Sequence, residues 1–435
     1  MNDWGESMKK GIFRMFLVGI LSLSLSECQT KMKKVSESKE PELAEEKIIL
    51  KVRNPKVEIS TQFEQMVNAY EKKNPNVDIQ IHTVGGAADD LSDLKAQMAA
   101  GNGPAIFTNT GYEHAKQWSE YLEDLTDQPW VEHAYEDTLI PMKLNGKIYG
   151  MPFNLEGFGF IYNKDLFHKA GIDTLPNTLT ELIEAAEKLK KAGITPFANG
   201  YYEGWKLGDH LLSIAFAKHE DPVAFIKGLN DGTRKIENNQ TFKDVIKLLD
   251  VTTKYGNDSP LATDYNMELN LFAKGQAAMI LQGNWIQPII DQLSPNMNIG
   301  MLPIPINDEP NNDALVVGVP NYWVVNKQAT PEKKKEAKKF LNWMVSSKQG
   351  KMFMTKRLKY IPAFENIETD HLGPLADEII RYSTAGKTLS SNWFYFPVGV
   401  KAEFGTAMQL YVGKQLNREQ LLQEFQKSWD NAASQ

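Results

Sequence analysis

The sequence predicts an α/β protein, in which the strands of a mostly parallel sheet alternate with helices. Between residues 48 and 112, short apolar segments of strand length alternate with longer segments of helical periodicity, in the order β-α-β-α-β. The chain has 435 residues, which is enough for two or more hydrophobic cores. Its hydrophobic share of 42% and charged share of 24% are ordinary for a soluble globular protein.

The first elements follow from local signals. Ser60 or Thr61 can cap a helix that runs to about residue 73, because short polar side chains satisfy the free N–H groups at a helix start. The sequence Asn74-Pro75-Asn76 ends that helix. We expect strands at residues 48–52, 77–84 and 106–107, and helices at residues 60–73 and 91–98.

The later helices carry clearer boundaries. Thr178 and Glu181 have the spacing of a capping box at the start of a helix that ends before Gly193. Asn417, with Gln420 three positions later, starts a last helix that runs to about residue 433. Between them we expect helical segments at residues 207–217, 242–255 and 332–353.

Residues 269–285 place a large aromatic side chain at the end of a buried strand. Lys274 and Gly275 end a helix, and residues 277–281 form an apolar run that suits a strand covered on both faces. Asn284 and Trp285 follow the carboxyl end of that strand, which faces the ligand crevice in an open α/β sheet. From these residues alone, Trp285 is either a platform for a ligand or part of the core.

A second informative segment covers residues 149–167. Pro152 and the pair Gly157 and Gly159 flank an extended segment, and aromatic residues alternate along it. A short helix follows from Asp165 and stops at Gly171. The pattern indicates a strand that crosses between two parts of the fold.

Composition excludes several classes of function. The net charge of -7 and the absence of a basic stripe argue against a nucleic-acid partner. No cysteine follows Cys28, which excludes disulfides and cysteine-based metal sites or nucleophiles beyond it. The seven histidines are scattered, so we expect no metal site. Residues 385–388 lack the earlier glycine of a phosphate-binding loop, where Arg381 stands instead, and we expect no cofactor.

The N-terminal segment is typical of a targeting signal. Lys9, Lys10 and Arg14 make the start basic, and a short apolar stretch at residues 12–25 ends shortly before Cys28, the single cysteine. Residues 1–27 resemble a bacterial lipoprotein signal peptide, which implies a lipid on Cys28. Glu27 departs from the small residue of that motif, and an uncleaved tail with an incidental cysteine is the alternative. Residues 28–46 are rich in Lys, Glu and Ser and indicate a tether.

Four segments together resemble one family along most of the chain after Cys28. They read P-A-I-F-T-N-T-G-Y, Y-G-M-P…Y-N-K-D-L-F, L-F-A-K-G-Q-A-A-M-I-L-Q-G-N-W and V-G-V-P-N-Y-W-V-V-N, the last followed by a lysine-rich helix. In this order they are similar to the extracellular solute-binding proteins of carbohydrate ABC importers. The likeness is to maltose-binding protein and, more closely, to the multiple-sugar or raffinose class of Gram-positive bacteria.

This resemblance implies a two-lobed periplasmic-binding-protein type II fold, with each lobe discontinuous in sequence and a hinge between them. Residues 47–154 and 317–359 would form lobe 1, and residues 155–316 and 360–435 would form lobe 2. The resemblance also implies a monomeric, non-catalytic receptor on the outer face of the cell membrane, held there only by its lipid. It would bind an oligosaccharide between the lobes and deliver it to the membrane subunits of an ABC permease.

The resemblance also suggests which residues contact the sugar. Glu156 lies at the spacing of a sugar-contacting acid, although an ion pair between the lobes is the alternative role. Trp285 matches a stacking position. The further candidates are polar or aromatic residues in loops near strand ends, namely Asn109, Tyr112, Tyr201, Tyr202, Trp205, Asn284, Trp323, Trp393 and Phe396.

Two other functions stay open from the sequence. A secreted glycoside hydrolase could use Glu156 with Glu203 or Asp209 as its acid and base. The same fold could instead bind an amino acid, a polyamine or a metal chelate. Those charged solutes would need paired acids or arginines near the crevice, whereas the candidate loops are mainly aromatic and amide.

Overall fold

The computed structural model describes residues 47–85, 90–310 and 312–434. The predicted signal peptide and the whole predicted tether, including Cys28, therefore lie outside the described residues. The strands are β1 Ile48–Asn54, β2 Val77–Thr83, β3 Ile106–Asn109, β4 Lys143–Leu144, β5 Lys147–Ile148, β6 Met151–Pro152, β7 Glu156–Asn163, β8 Thr195–Ala198, β9 Ala277–Gly283, β10 Ile299–Leu302, β11 Leu315–Gly318, β12 Tyr322–Val325 and β13 Thr388–Leu389.

Helices alternate with these strands along most of the chain. The α-helices are α1 Ser60–Glu71, α2 Asp90–Ala99, α3 Glu113–Gln117, α4 Glu136–Leu139, α5 Lys164–Lys169, α6 Leu179–Lys191, α7 Ser213–Ala217, α8 Pro222–Asn230, α9 Gln240–Lys254, α10 Tyr265–Ala273, α11 Gln287–Leu293, α12 Pro331–Ser346, α13 Lys348–Met352, α14 Pro374–Thr384, α15 Val400–Val412 and α16 Arg418–Ala433. Two π-helical segments, Lys206–Leu211 and Phe353–Arg357, add to them.

The first lobe is built on a sheet with strand order β2-β1-β3-β12-β6. Strand β1 pairs in parallel with β2 and β3, which confirms the predicted β-α-β-α-β start. Strands β12 and β6 come later in the chain and pair antiparallel. Helices α1 and α12 pack against this sheet, so that Trp323 of β12 lies in the core between the rings of Phe63 and Phe153, at 5.5 and 4.0 Å between ring centroids.

The second lobe is built on a sheet with order β13-β11-β7-β9-β8, and β10 also pairs with β7. Strand β7 is buried along its whole length, because β9 covers one edge and β11 and β10 share the other. Gly159 allows this arrangement, since a Cβ there would lie 2.3 Å from the carbonyl oxygen of Leu302. The aromatic alternation around Gly159 therefore marks the central strand of this lobe.

Three chain segments pass between the lobes side by side. The N–H of Phe153 donates to the carbonyl of Asn321 at 3.1 Å, and the N–H of Leu155 donates to the carbonyl of Ile361 at 2.8 Å. Each lobe is thus made from separated parts of the chain. Tyr360, Phe364 and Ile367 pack in the first core, although the predicted boundary at residue 360 assigned them to the second lobe.

The capping predictions have mixed outcomes. Both capping boxes are confirmed, Thr178 with Glu181 at the start of α6 and Asn417 with Gln420 at the start of α16. The predicted side-chain cap at Ser60 or Thr61 is wrong, because a 3-10 turn runs directly into α1. Ile59 takes the N-cap position, and its side chain cannot cap the helix.

The predicted single helix at residues 332–353 is also wrong. The helix stops at Ser346, and Ser347 takes extended backbone angles and caps α13. Gly350 lies so close to α12 that a Cβ there would be 2.3 Å from the carbonyl oxygen of Trp343, so the chain has to bend at this point. Within the described ranges, no helix combines the length and the apolar character needed to cross a bilayer.

Candidate functional site

Trp285 folds back over the end of the strand that precedes it. After β9, Gly283 leaves room for the indole, because a Cβ at this position would lie 2.0 Å from a ring carbon of Trp285. The indole Nε1–H donates to the Oε1 of Gln282 at 2.9 Å. The side chain is 8% exposed, so Trp285 is both part of the second core and a wall of the cavity described below.

Five rings pack together after the end of β9, and we call them the aromatic cluster. His210 lies at its centre and stacks on Trp285 with 4.9 Å between ring centroids. The other members are Phe158, Trp205 and Trp393, with centroids 4.7, 5.1 and 5.9 Å from that of His210. The cluster therefore joins Trp205, Trp285 and Trp393, three of the residues predicted to contact a solute.

A π-helical segment brings His210 and Trp205 together. The segment Lys206–Leu211 follows Trp205 directly, and such wide turns occur often at functional sites. Gly208 of this segment packs on α15, where a Cβ would lie 2.1 Å from the carbonyl oxygen of Lys401. Close packing against α15 thus fixes the loop that carries both rings.

His210 is neutral at physiological pH. Burial lowers the pKa of its imidazole to about 3, and the nearby ammonium groups of Lys401, Lys56 and Lys206 act in the same direction. Its Nδ1 is buried and has no hydrogen-bond partner among the described residues. The centre of the aromatic cluster is therefore an uncharged polar group.

An ion pair joins the two lobes beside Trp285. Lys56 follows β1 of the first lobe, and its Nζ donates to both carboxylate oxygens of Glu156, at 2.7 and 2.9 Å. The ammonium also lies 5.6 Å from the centroid of the Trp285 ring. Glu156 therefore makes the inter-lobe ion pair that was the alternative to a sugar contact, and the pair still borders the predicted site.

Glu58 completes a buried triad with these two residues. One of its carboxylate oxygens lies 3.5 Å from the Nζ of Lys56. Burial alone would lower the pKa of Lys56, but the attraction of Glu156 and Glu58 outweighs it, and the pKa is raised. Burial raises the pKa of Glu58 in spite of the opposing effect of Lys56.

A second buried polar network lies under Trp285. The Nζ of Lys206 donates to Glu268 at 3.1 Å, and Gln282 donates to the same carboxylate oxygen at 2.7 Å. Gln282 in turn accepts from the indole of Trp285, so the network fixes the orientation of that ring. The Oε2 of Glu203 lies 3.4 Å from the Nζ of Lys206 at the edge of the network.

A small cavity of about 10 Å³, which is room for about one water molecule, opens beside the cluster. Aromatic rings form one wall of this cavity, and the carboxylate of Glu156 and the crossing segment between β11 and β12 form the rest. The lining residues are Glu156, Phe158, Trp285, Val316, Gly318, Pro320, Ser391 and Trp393. Three of the predicted contacts, Glu156, Trp285 and Trp393, thus line one cavity.

The two predicted asparagines fix backbone turns. Asn284 is buried, and its Oδ1 accepts from the N–H of Gly157 at 3.0 Å, which ties β9 to β7. Asn109 is buried at the end of β3, and its Oδ1 accepts from the N–H of Gly111 at 2.7 Å. The Nδ2 of Asn109 is a buried donor with no partner in the described part of the chain.

Tyr112 lies at a contact between the lobes. The ring of Tyr112 packs edge-on against that of Tyr395, with 4.9 Å between centroids. The Nζ of Lys116 lies 4.1 Å from the centroid of the Tyr112 ring. Tyr395 belongs to the short 3-10 turn that begins with Trp393. The contact therefore connects Tyr112 to the segment that lines the cavity.

Other predicted residues lie away from the cavity. Trp323 is 2% exposed in the first core, and Tyr202 is 54% exposed on the surface. Tyr201 and Phe396, the weaker candidates, are buried in the second core. The predicted roles of Trp323, Tyr201 and Phe396 as solute contacts are therefore not supported by their positions, since aromatic periodicity does not distinguish a core face from a cavity face.

Sequence reasoning missed several residues that the fold brings to this region. They are Lys56, Glu58 and Tyr360 from the first lobe and His210 and Tyr265 from the second. Lys56 and Glu58 follow the carboxyl end of β1. Ligand sites of α/β sheets lie at such strand ends, so this position in the sequence could have identified both residues as candidates. No group of three or more His, Cys, Asp or Glu side chains within the described ranges is arranged to hold a metal ion.

Comparison with known proteins agrees with this architecture. The chain is 26% identical over 350 residues to a multiple sugar-binding protein of Streptococcus mutans, a match that covers 78% of this chain and 79% of the relative. It is 23% identical over 318 residues to a melibiose/raffinose/stachyose-binding protein of Bacillus subtilis, covering 71% and 72%. A sugar transporter of Bacillus licheniformis, solved in complex with stachyose, has the same fold, with a TM-score of 0.75, 22% identity and coverage of 88% and 100%.

The family match is broad. The profile of a family described as bacterial extracellular solute-binding protein matches residues 54–351, which span most strands of both sheets. This range is well over half of the chain. The chain therefore belongs to the bacterial extracellular solute-binding proteins.

Proposed function

We propose that this protein is the sugar-binding component of an ABC importer and that an oligosaccharide binds between its two lobes. The observation that carries the proposal is the cavity lined by Trp285, Trp393 and Glu156. A pyranose has apolar C–H faces and a rim of hydroxyl groups. Aromatic rings cover the faces, and a carboxylate accepts hydrogen bonds from the rim.

Buried polar atoms near the cavity support the same proposal. Within the described ranges, Nδ1 of His210 and Oδ1 of Asn154 are buried without a hydrogen-bond partner. Such atoms are costly in a folded protein unless another molecule satisfies them. Hydroxyl groups of a sugar are suitable partners, because each can donate and accept. The names of the relatives from Streptococcus mutans and Bacillus subtilis point to the same class of solute.

The hydrolase alternative has less support. Each carboxylate it would use lies beside a lysine ammonium: Glu156 beside Lys56 at 2.7 Å, and Asp209 beside Lys401 at 3.2 Å. A general acid or base has to reach the reacting atoms of its substrate, whereas these carboxylates are already engaged by ammonium groups. The relatives are also named as binding proteins rather than enzymes. Binding without chemical change is therefore the proposed activity.

A strongly charged solute is also less favoured. The buried acids of this region are each close to a lysine: Glu156 and Glu58 to Lys56, and Glu268 to Lys206. Apart from Glu156, the cavity is lined by three aromatic rings, one serine and small or aliphatic residues. An uncharged polyol fits this surface better than an amino acid, a polyamine or a metal chelate.

The proposal includes delivery and location. We infer that the closed, sugar-loaded protein docks on the transmembrane subunits of a permease and that it works as a monomer. We also infer that a lipid on Cys28 holds it at the outer face of the membrane. Mass spectrometry of the membrane fraction is expected to find a diacylglyceryl-modified Cys28, and Cys28→Ala is expected to release the protein into the medium. A membrane-bound Cys28→Ala variant would contradict the anchor.

The test of the function is a ligand panel. A solute that binds the closed native state raises the unfolding temperature by mass action. We expect raffinose, stachyose or a chitin oligosaccharide to raise it in a saturable way, and chromatography to recover the sugar unchanged. No shift with any neutral oligosaccharide, or the appearance of new reducing ends, would contradict the proposal.

A further inference from the structure

Two tyrosine hydroxyl groups point to further solute contacts. Tyr265, the first residue of α10 in the second lobe, is 9% exposed, and Tyr360 of the first core is 5% exposed. Both hydroxyl oxygens are buried and have no hydrogen-bond partner among the described residues. A buried hydroxyl without a partner is destabilising, and native structures normally satisfy it.

Tyr360 lies at a crossing between the lobes, because the carbonyl of the next residue, Ile361, accepts from the N–H of Leu155 at 2.8 Å, and Leu155 directly precedes Glu156. Burial raises the pKa of Tyr360, and the negative charges of Glu156 and Glu58 raise it further. Burial likewise raises the pKa of Tyr265, with contributions from Glu58, Glu268, Glu156 and Glu203. The two phenols are therefore protonated at neutral pH and able to donate.

Other contacts place Tyr265 next to the aromatic cluster. Its ring centroid is 6.0 Å from that of Trp205, and its N–H donates to the Oε1 of Glu203 at 3.2 Å. The Nζ of Lys206 lies 5.6 Å from its ring centroid. The ring is thus held by its neighbours while its oxygen is left without a partner.

Resting on the proposed function, we infer that the hydroxyl groups of Tyr265 and Tyr360 donate hydrogen bonds to the bound solute from opposite lobes. The carboxylates of this region determine which kind of solute oxygen the two tyrosines can contact. An anionic oxygen would be repelled by Glu156 and Glu58. A neutral hydroxyl can accept from a tyrosine and donate to a carboxylate, so an uncharged sugar hydroxyl fits this position.

The test replaces each tyrosine by phenylalanine, which removes one oxygen and keeps the ring. We expect Tyr265→Phe and Tyr360→Phe each to weaken binding of the best sugar of the panel by about tenfold, the value of one hydrogen bond. In the absence of sugar, each variant is expected to unfold at the same urea concentration as wild type or at a higher one, because a buried polar group without a partner has been removed.

Tyr201→Phe is the matched control. Tyr201 is buried in the same lobe, but its hydroxyl is bonded to Asn199 at 3.1 Å and to Thr252 at 3.0 Å. This variant is expected to unfold at a lower urea concentration and to bind sugar as wild type does.

The possible results separate the two proposals. Wild-type affinity in Tyr265→Phe and Tyr360→Phe would overturn the inference and leave the proposed function standing. A loss of stability as large as that of Tyr201→Phe would also overturn it, because the hydroxyl would then be bonded before the solute arrives. A wild-type protein that binds no sugar would contradict the proposed function, and the inference with it.

Discussion

Lys56 donates to both carboxylate oxygens of Glu156 and thereby joins the first lobe to the second. The ammonium also lies 5.6 Å from the centroid of Trp285. Glu156 and Trp285 are the two residues that the sequence favoured most as solute contacts. A side chain of the protein thus engages the same carboxylate and the same ring that a sugar is proposed to use.

The first prediction concerns this ion pair. Lys56→Met leaves Glu156 buried and without its cation, which is strongly unfavourable unless water reaches the carboxylate. We therefore expect the lobes of the ligand-free variant to open, and small-angle X-ray scattering to give a larger radius of gyration than for wild type. Lys147→Met is the control, because its pair with Asp124 is exposed and lies within one lobe. Equal radii in the wild type and Lys56→Met would contradict the prediction.

The second prediction concerns the rings. Trp285→Ala is expected to weaken sugar binding by about 1–3 kcal/mol, taking the loss of base stacking on aromatic rings as the analogue. Trp323→Ala is the matched control, since Trp323 lies in the first core. It is expected to lower the free energy of unfolding by about 3–5 kcal/mol without changing the affinity of the folded protein. Calorimetric titration and urea unfolding measure the two effects, and unchanged affinity in Trp285→Ala would contradict the role of Trp285.

The third prediction is a pH dependence of stability. Burial lowers the pKa of His210 to about 3 and that of His114 to about 4. Above about pH 7.5 both are mostly neutral in the folded and unfolded states, because the pKa of an unfolded histidine is about 6.5. As the pH falls below that value, only the unfolded chain takes up protons, so the free energy of unfolding decreases, by about 2 kcal/mol per histidine at pH 5.

His114→Gln isolates this effect. The variant is expected to lose less stability than wild type between pH 7.5 and pH 5 in urea unfolding. The exposed His168 gives the control, and His168→Gln is expected to follow the wild-type curve. A His114→Gln variant that follows the wild-type curve as well would contradict the assignment of a buried, neutral imidazole.

The fourth prediction concerns the support of the aromatic cluster. In Gly208→Ala, the new Cβ would lie 2.1 Å from the carbonyl oxygen of Lys401, so the π-helical segment or α15 must move. We expect a loss of about 1–3 kcal/mol in the free energy of unfolding, together with weaker sugar binding. In Gly413→Ala the nearest neighbour of the new Cβ is the carbonyl oxygen of Gln409 at 3.2 Å, so this variant is expected to change neither quantity much. Equal behaviour of the two variants would show that Gly208 has no such role.

Much of the fold could be predicted from local signals. Capping boxes at Thr178 and Asn417 set two helix starts, because those hydrogen bonds depend on residues three positions apart. The position of Trp285 after β9 followed in the same way from Gly275 and the apolar run before Gly283. Signals of this kind act within one element and need no knowledge of the partner elements.

The site was less predictable because its partners are distant in the chain. Lys56 and Glu156 are separated by 100 residues, and nothing near either one indicates the other. The π-helical turn that directs His210 into the cluster depends on its packing against α15. Trp323 and Trp285 both belong to strand ends rich in apolar residues, and only the tertiary contacts separate the core ring from the ring at the cavity.

The most direct test of the central claim is a crystal structure of the protein with the sugar that gives the largest thermal shift. We expect one pyranose face to lie against the indole of Trp285 between the two lobes, with a sugar hydroxyl hydrogen-bonded to the carboxylate of Glu156. A sugar bound elsewhere on the protein, with Lys56 still paired to Glu156 and the indole untouched, would contradict the account.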